Sequence, residues 1–201
     1  MNTPTRLILA SGSSIRRTLL ENAGLEVETI LSRIDEDTIK TTLIDEGHSP
    51  RDIADALAEG KARKVALKNL DAFTIGCDQT LSFKGALISK AASRDEARDI
   101  LASMRGERHI LHSAAVIYHD GEPVWRHIGE VRLTMHPVSD AYLDDYLDRN
   151  WDSVCDAVGA YKLEQEGIRL FSRIDGTYFD VLGLPLTPLL SYLGQRGIIA
   201  T

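Results

Sequence analysis

Three groups of residues could carry chemistry. The first is Ser11-Gly12-Ser13-Ser14, followed by Ile15-Arg16-Arg17. A short apolar run from Arg6 to Ala10 precedes it, and Ile15, Leu19, Leu20 and Ala23 follow at helical spacing. Strand, small-residue loop and helix start present free backbone N–H groups to an anion. The serine hydroxyls add donors. Arg16 and Arg17 fall in the first helical turn, where cations oppose the helix dipole. A bound phosphate would reverse that penalty. The same residues also read as a plain capped helix with solvated arginines, because the spacing is neither a P-loop nor a Rossmann fingerprint.

The second group is acidic. Asp35-Glu36 follows the expected strand Val27–Leu31 in a loop, and Asp78 ends the expected strand Ala72–Cys77. Carboxylates at strand ends are placed to hold a hard cation or to take a proton from water. Turn and cap roles are the ordinary alternative. The third group is Lys61, after Gly60 in a helical stretch, and Lys90, after a hairpin. Each binds phosphate as a point charge if it faces a cleft, and is solvated otherwise. The histidines have no HExxH spacing, and His109 and His112 read as structural. Ser13 lacks the context of a nucleophile elbow.

These residues need elements to position them. Gly24 stops the first helix, and residues 38–46 form a second. Ser49 caps a third, with Pro50 at its first position, running to about Asn69. Leu81–Phe83 and Ala86–Ser89 form a hairpin around Lys84-Gly85. Ser93 caps a helix to about Met104, and Ser139 starts one to Leu147. Arg108–Tyr118 and Glu122–His136 are long strands joined at His119-Asp120-Gly121. Gly159-Ala160-Tyr161 is irregular, Ile168–Ile174 is a strand and Leu186–Leu193 a final helix. The alternation predicts an α/β or α+β fold on a mixed sheet. A chain of 201 residues fits one domain spanning 1–201, or two small lobes sharing a core.

Composition removes several function classes. The 23 basic and 30 acidic residues leave a net charge of −7, unsuited to general binding of nucleic acid or anionic membrane. No apolar run approaches the roughly 20 residues of a membrane span. The N-terminal apolar stretch is too short for a signal peptide. Cys77 and Cys155 are far apart, which argues against a zinc site or disulfide framework and for a cytoplasmic location. The charge is uneven: residues 1–20 hold Arg6, Arg16 and Arg17 and no carboxylate. A nucleic-acid module built on the Arg16-Arg17 helix is the rival reading that the charge and the missing aromatic-basic stripe oppose.

The order LILASGSSIRR, IDE, LAEGKA, IGCDQTL with a following ISK, VGAYKLEQEG and GTYFDVLGLPL resembles the Maf-like nucleoside triphosphate pyrophosphatases, from Leu7 to about Leu193. The resemblance implies an ITPase-like α/β fold: an elongated mixed sheet flanked by helices, two lobes and a central cleft. It implies hydrolysis of a nucleoside triphosphate to the monophosphate and pyrophosphate, with a divalent cation such as Mg²⁺ or Mn²⁺, commonly in a homodimer. It matches Asp78 to the proton acceptor and Glu36 to a metal or water-positioning acid. Asp78 as a metal ligand remains the competing role. Ser13, Arg16, Lys61 and Lys90 match the phosphate-handling set.

Three positions separate branches of this family. The common SPRR is here Ser14-Ile15-Arg16-Arg17, the usual Asp-Thr is Asp78-Gln79, and Glu164 stands where glutamine is frequent. Gln79 and Glu164 resemble the 7-methyl-GTP branch, whereas Ile15 lacks that branch's aromatic face. A carboxylate accepts from the N1–H and N2–H₂ edge of guanine and favours a cationic methylated base. Glu164 could instead pair with a neighbour. The expectation is a preference for guanine-type or modified purine triphosphates. The alternatives are a dTTP/UTP pyrophosphatase, or a catalytically weak nucleotide-binding regulator of cell division.

Overall fold

Most helices begin where the sequence supplies a cap, and most strands where it supplies apolar alternation. The computed structural model describes residues 5–200; residues 1–4 and 201, which the one-domain expectation includes, lie outside the described residues. In chain order the elements are β1 (Leu7–Leu9), α1 (Ser14–Asn22), β2 (Glu28–Thr29), α2 (Glu36–Asp45), α3 (Pro50–Ala66), β3 (Phe73–Phe83) and β4 (Ala86–Ile88). There follow α4 (Arg94–Met104), β5 (Arg108–His119), β6 (Glu122–Met135), α5 (Asp140–Val154), a 3-10 turn over Glu166–Leu170, β7 (Phe171–Asp175), α6 (Tyr178–Val181) and α7 (Leu186–Gln195). Asp35, Ser49, Ser93 and Ser139 accept from the N–H of Thr38, Asp52, Glu96 and Tyr142 and so cap α2, α3, α4 and α5. Lys84-Gly85 and Asp120-Gly121 both have positive φ and close the two hairpins.

The seven strands form one mixed sheet in the order β2-β1-β3-β5-β6-β7, with β4 also on β3. β1 runs parallel to β2 and β3, and the other pairs are antiparallel. The sheet and its flanking helices agree with the expected α/β class. Two larger apolar cores and two smaller ones lie along it. One of the larger pair joins β1, α1 and α7 through Leu9, Leu20 and Leu189. The other joins α4, α5 and β6 through Leu101, Tyr146 and Leu133. No helix among the described residues is long and apolar enough to cross a membrane.

The sequence reading needs four corrections. Asp78 does not end its strand but lies midway along β3, because β5 pairs β3 continuously from Thr74↔Tyr118 to Ser82↔Ile110. Glu36 is the first residue of α2 rather than part of a loop, because Asp35 caps the helix and starts it two residues earlier than expected. α5 continues past Leu147 to Val154, which is buried with Leu143, Tyr146 and Leu147. The expected strand over residues 168–174 is split, its first half being the 3-10 turn and only Phe171–Asp175 pairing with β6. The short α6 was not expected; Thr177 caps it by accepting from the Asp180 N–H.

Candidate active site

The site forms where one edge of β3 is left without a neighbour. β1 leaves β3 at Leu9↔Ile75, and β4 joins only at Leu81↔Ile88. Residues 76–80 therefore keep β5 on one side and face a gap on the other. Side chains alternate across a strand, so Asp78 and Gln79 reach this gap from opposite faces of the sheet. A cavity of about 740 Å³ occupies the gap, and all nine candidate residues of the sequence reading line it.

On one face α3 lies close against β3. Its alanine face, Ala54, Ala58, Ala62 and Ala66, packs with Ala114 and Val116 of the neighbouring β5, and a Cβ on Gly76 of β3 would stand 2.2 Å from the Ala58 carbonyl oxygen. This approach brings the Lys61 ammonium within 2.7 Å of Asp78 Oδ1 and 2.9 Å of Glu36 Oε1. Lys61 and Asp78 are both buried. Burial works against the Glu36 carboxylate, but the Lys61 hydrogen bond and the charges of Lys61, Lys40 and Lys90 outweigh it and hold its pKa below the ordinary value. Lys61 thus joins the two acids rather than standing free, and Lys90 lies exposed on the coil after β4.

On the other side stands the start of α1. Ser13 is its N-cap residue, yet the Ser13 side chain makes no cap hydrogen bond, and no acid lies in the first turn. The end that five other helices close with a side chain is left open to the cavity. Arg16 is only 9% exposed. Its guanidinium donates to the carbonyls of Gly183 and Cys77 at 2.8 and 3.0 Å, and to Ser11 Oγ at 3.3 Å. These contacts place it across the open edge of β3. They include no carboxylate, so a buried positive charge faces the cavity uncompensated. Arg17, by contrast, pairs with Glu21 in solvent, the bland alternative for that residue.

Ile15, Gln79, Glu164 and apolar Val158, Leu163 and Leu182 also line the cavity. Glu164 is exposed. Its loop neighbours are engaged elsewhere: Lys162 with Asp156, Gln165 with Ser153, and Glu166 with Arg149. No ion pair to Glu164 forms among the described residues, so the pairing alternative does not describe it. Sequence reasoning missed Lys40 and Lys162, which also line the cavity. Lys40 was findable, because it lies four residues after Glu36 on one helix face and stands 3.8 Å from it. For Lys162 no spacing signal exists.

Among the described residues no group of three or more His, Cys, Asp or Glu is placed to hold a metal ion. The donor set is the Glu36 and Asp78 carboxylates, both within reach of one ammonium. Two hard oxygen ligands with substrate phosphates as the remainder suit Mg²⁺ or Mn²⁺ and no softer metal. The arrangement can hold a polyanion, set two carboxylates beside one ammonium and present apolar side chains together with the Gln79 and Glu164 acceptors.

The sequence is similar to those of known proteins along nearly its whole length. A protein from Roseobacter denitrificans named nucleoside triphosphate pyrophosphatase is 60% identical over 194 residues, covering 96% of this chain and 98% of its own length. One of the same name from Ruegeria sp. is 57% identical over 195 residues, 97% of this chain and 98% of that protein. A protein from Rhizobium meliloti named 7-methyl-GTP pyrophosphatase is 46% identical over 193 residues, 96% of this chain and 97% of its own. Among solved structures, a HAM1 protein from Coxiella burnetii aligns at a TM-score of 0.42 and 16% identity over 67% of this chain and 74% of that one. The family model described as Maf-like protein matches residues 6–196, so the chain belongs to the Maf-like family.

Proposed function

We propose that this protein hydrolyses a nucleoside triphosphate between its α- and β-phosphates, giving the monophosphate and pyrophosphate. The observation that carries the reading is the pairing of Glu36 and Asp78 on Lys61 opposite a buried Arg16 that meets no carboxylate. The uncapped start of α1, Ser13, Arg16 and Lys90 bind the phosphate oxygens. Asp78, hydrogen-bonded to Lys61, takes the proton as water attacks the α-phosphorus. The bond from that phosphorus to the bridging oxygen breaks, and pyrophosphate leaves with the electron pair. Glu36 and Asp78 would hold a divalent cation, which when bound neutralises charge on the phosphates. Catalysis is then chiefly positioning and electrostatic stabilisation. A second copy of the chain as partner comes with the family resemblance, and a cytoplasmic setting with the two widely spaced cysteines.

The base preference is read from three further residues that line the cavity. Glu164, free of other partners, and Gln79 favour a guanine-type or 7-methylated base over thymine or uracil. Ile15 supplies apolar contact without an aromatic face. A panel of triphosphates assayed for pyrophosphate release with Mg²⁺ or Mn²⁺ tests both parts. GTP and 7-methyl-GTP are expected to exceed dTTP and UTP. Fast dTTP turnover without 7-methyl-GTP turnover would overturn the base assignment, and release from no nucleotide would overturn the activity.

A further inference from the structure

Gln79, Ser113 and Gly129 form one row across the sheet, as successive cross-strand partners on β3, β5 and β6. Directly paired residues of antiparallel strands carry their side chains on one face. The side chains shrink along this row from amide to hydroxymethyl to none. α6 lies on the face so formed, with Asp180 seated over the bare glycine. A Cβ on Gly129 would stand 2.0 Å from Asp180 Oδ1 and 2.3 Å from its Cγ. Asp180 is buried, and its Oδ2 accepts from Thr177 Oγ1 at 2.7 Å. The seat of α6 is therefore set by a cap at one end and by the absence of a side chain beneath.

That seat fixes which way the Gln79 amide points. The carbonyl oxygens of Asp180 and Val181 each lie 3.0 Å from Gln79 Nε2, and Ser113 Oγ lies 2.8 Å from the same atom. The Ser113 hydroxyl donates to the Asp180 carbonyl, so it meets Nε2 with a lone pair. Carbonyl oxygens only accept, so the amide atom facing them must be the NH₂. Both its protons are consumed there. Oε1 is the group left over on a residue that lines the cavity.

We propose that Ser113, Asp180 and Gly129 are positioning residues for base selection, acting by holding Gln79 as a pure hydrogen-bond acceptor. The proposal rests on the reading of Gln79 and Glu164 as base-facing residues. Gln79 and Glu164 then both offer acceptors, an amide oxygen and a carboxylate, in a cavity that apolar Val158, Leu163 and Leu182 also line. The adjacent N1–H and N2–H₂ donors of guanine satisfy such a site. Uracil and thymine bring one N–H flanked by two carbonyl oxygens, which meet acceptors head-on. Rejection of the wrong base thus comes from repulsion as well as from a missing hydrogen bond.

The test uses Gly129→Ala and Ser113→Ala, each with and without Gln79→Leu. The readout is the affinity of the whole protein for GMP and for UMP by titration calorimetry, beside pyrophosphate release from GTP and UTP. The monophosphates need no turnover to bind. Absent pyrophosphate release would thus sink the proposed activity without deciding the positioning role. The wild type is expected to prefer GMP. Each single variant should lower the GMP-to-UMP ratio about 3- to 10-fold, the worth of one hydrogen bond. In the Gln79→Leu background neither change should lower it further. Equal loss for both bases, an unchanged ratio, additivity with Gln79→Leu, or a wild type that binds UMP as tightly as GMP would each overturn the proposal. If Gly129→Ala fails to fold, Ser113→Ala carries the same comparison.

Discussion

Lys61 stands between two carboxylates, and its side chain is only 10% exposed. One ammonium bridges two acids, and at Glu36 its hydrogen bond and charge outweigh the cost of burial. Asp78→Asn preserves the shape, since an amide oxygen can still accept from Lys61, but it cannot take a proton. Pyrophosphate release is expected to fall by at least ~10²-fold, the scale of a lost general base. Nucleotide binding, measured by calorimetry, should remain. Normal hydrolysis by this variant would remove Asp78 from the role of base. Replacing Lys61 with methionine should act through its neighbour instead. Without the ammonium, burial dominates at Glu36 and its titration moves upward, which carboxyl NMR would detect; an unchanged titration would place the controlling charge elsewhere.

At the scale of elements the site depends on how closely α3 lies on β3. A Cβ at Gly76 would meet the Ala58 carbonyl at 2.2 Å and the Ala62 nitrogen at 2.5 Å, both backbone atoms that cannot turn aside. Gly76→Ala is expected to push α3 outward and cost about 1–3 kcal/mol, read as a lower denaturant midpoint. The shift carries Lys61 away from Asp78, so turnover should fall more than stability alone explains. Wild-type stability in this variant would mean that the contact is not tight. The elements themselves were largely legible. Ser49-Pro50, Ser93 and Ser139 announced three helices, and Asp120-Gly121 announced the long hairpin. The position of Asp78 was not legible, because a strand that loses one neighbour and gains another looks like two short strands in sequence. Gly60 drew notice beside Lys61, while Gly76, which sets the approach of α3, gave no sign of it. Ser113 and Gly129 were invisible for the same reason: their role exists only in the cross-strand register.

The whole molecule stores a pH dependence in one buried ring. His109 sits on β5 within the α4–α5–β6 core, its Nε2 2.8 Å from the Tyr161 hydroxyl and its ring against Phe171. Burial alone pushes its pKa down to about 4, against about 6.5 in an unfolded chain. Between those values the unfolded chain binds the proton and the folded one does not. Stability from the neutral ring is complete above about pH 6.5 and is lost as the pH falls toward 4, by on the order of 3 kcal/mol. Carboxylates held low by arginine or lysine, such as Glu166 at about 2, give up their contribution only as the pH drops below the ordinary carboxylate range. The two windows therefore separate. His112 is also lowered by burial, opposed by the Glu130 charge, and adds a smaller loss in the upper window. His109→Gln keeps a partner for Tyr161 but removes the titration. Melting temperatures measured from pH 7.5 to 5 should fall in the wild type and fall much less in the variant. Equal slopes would place the acid sensitivity outside this core.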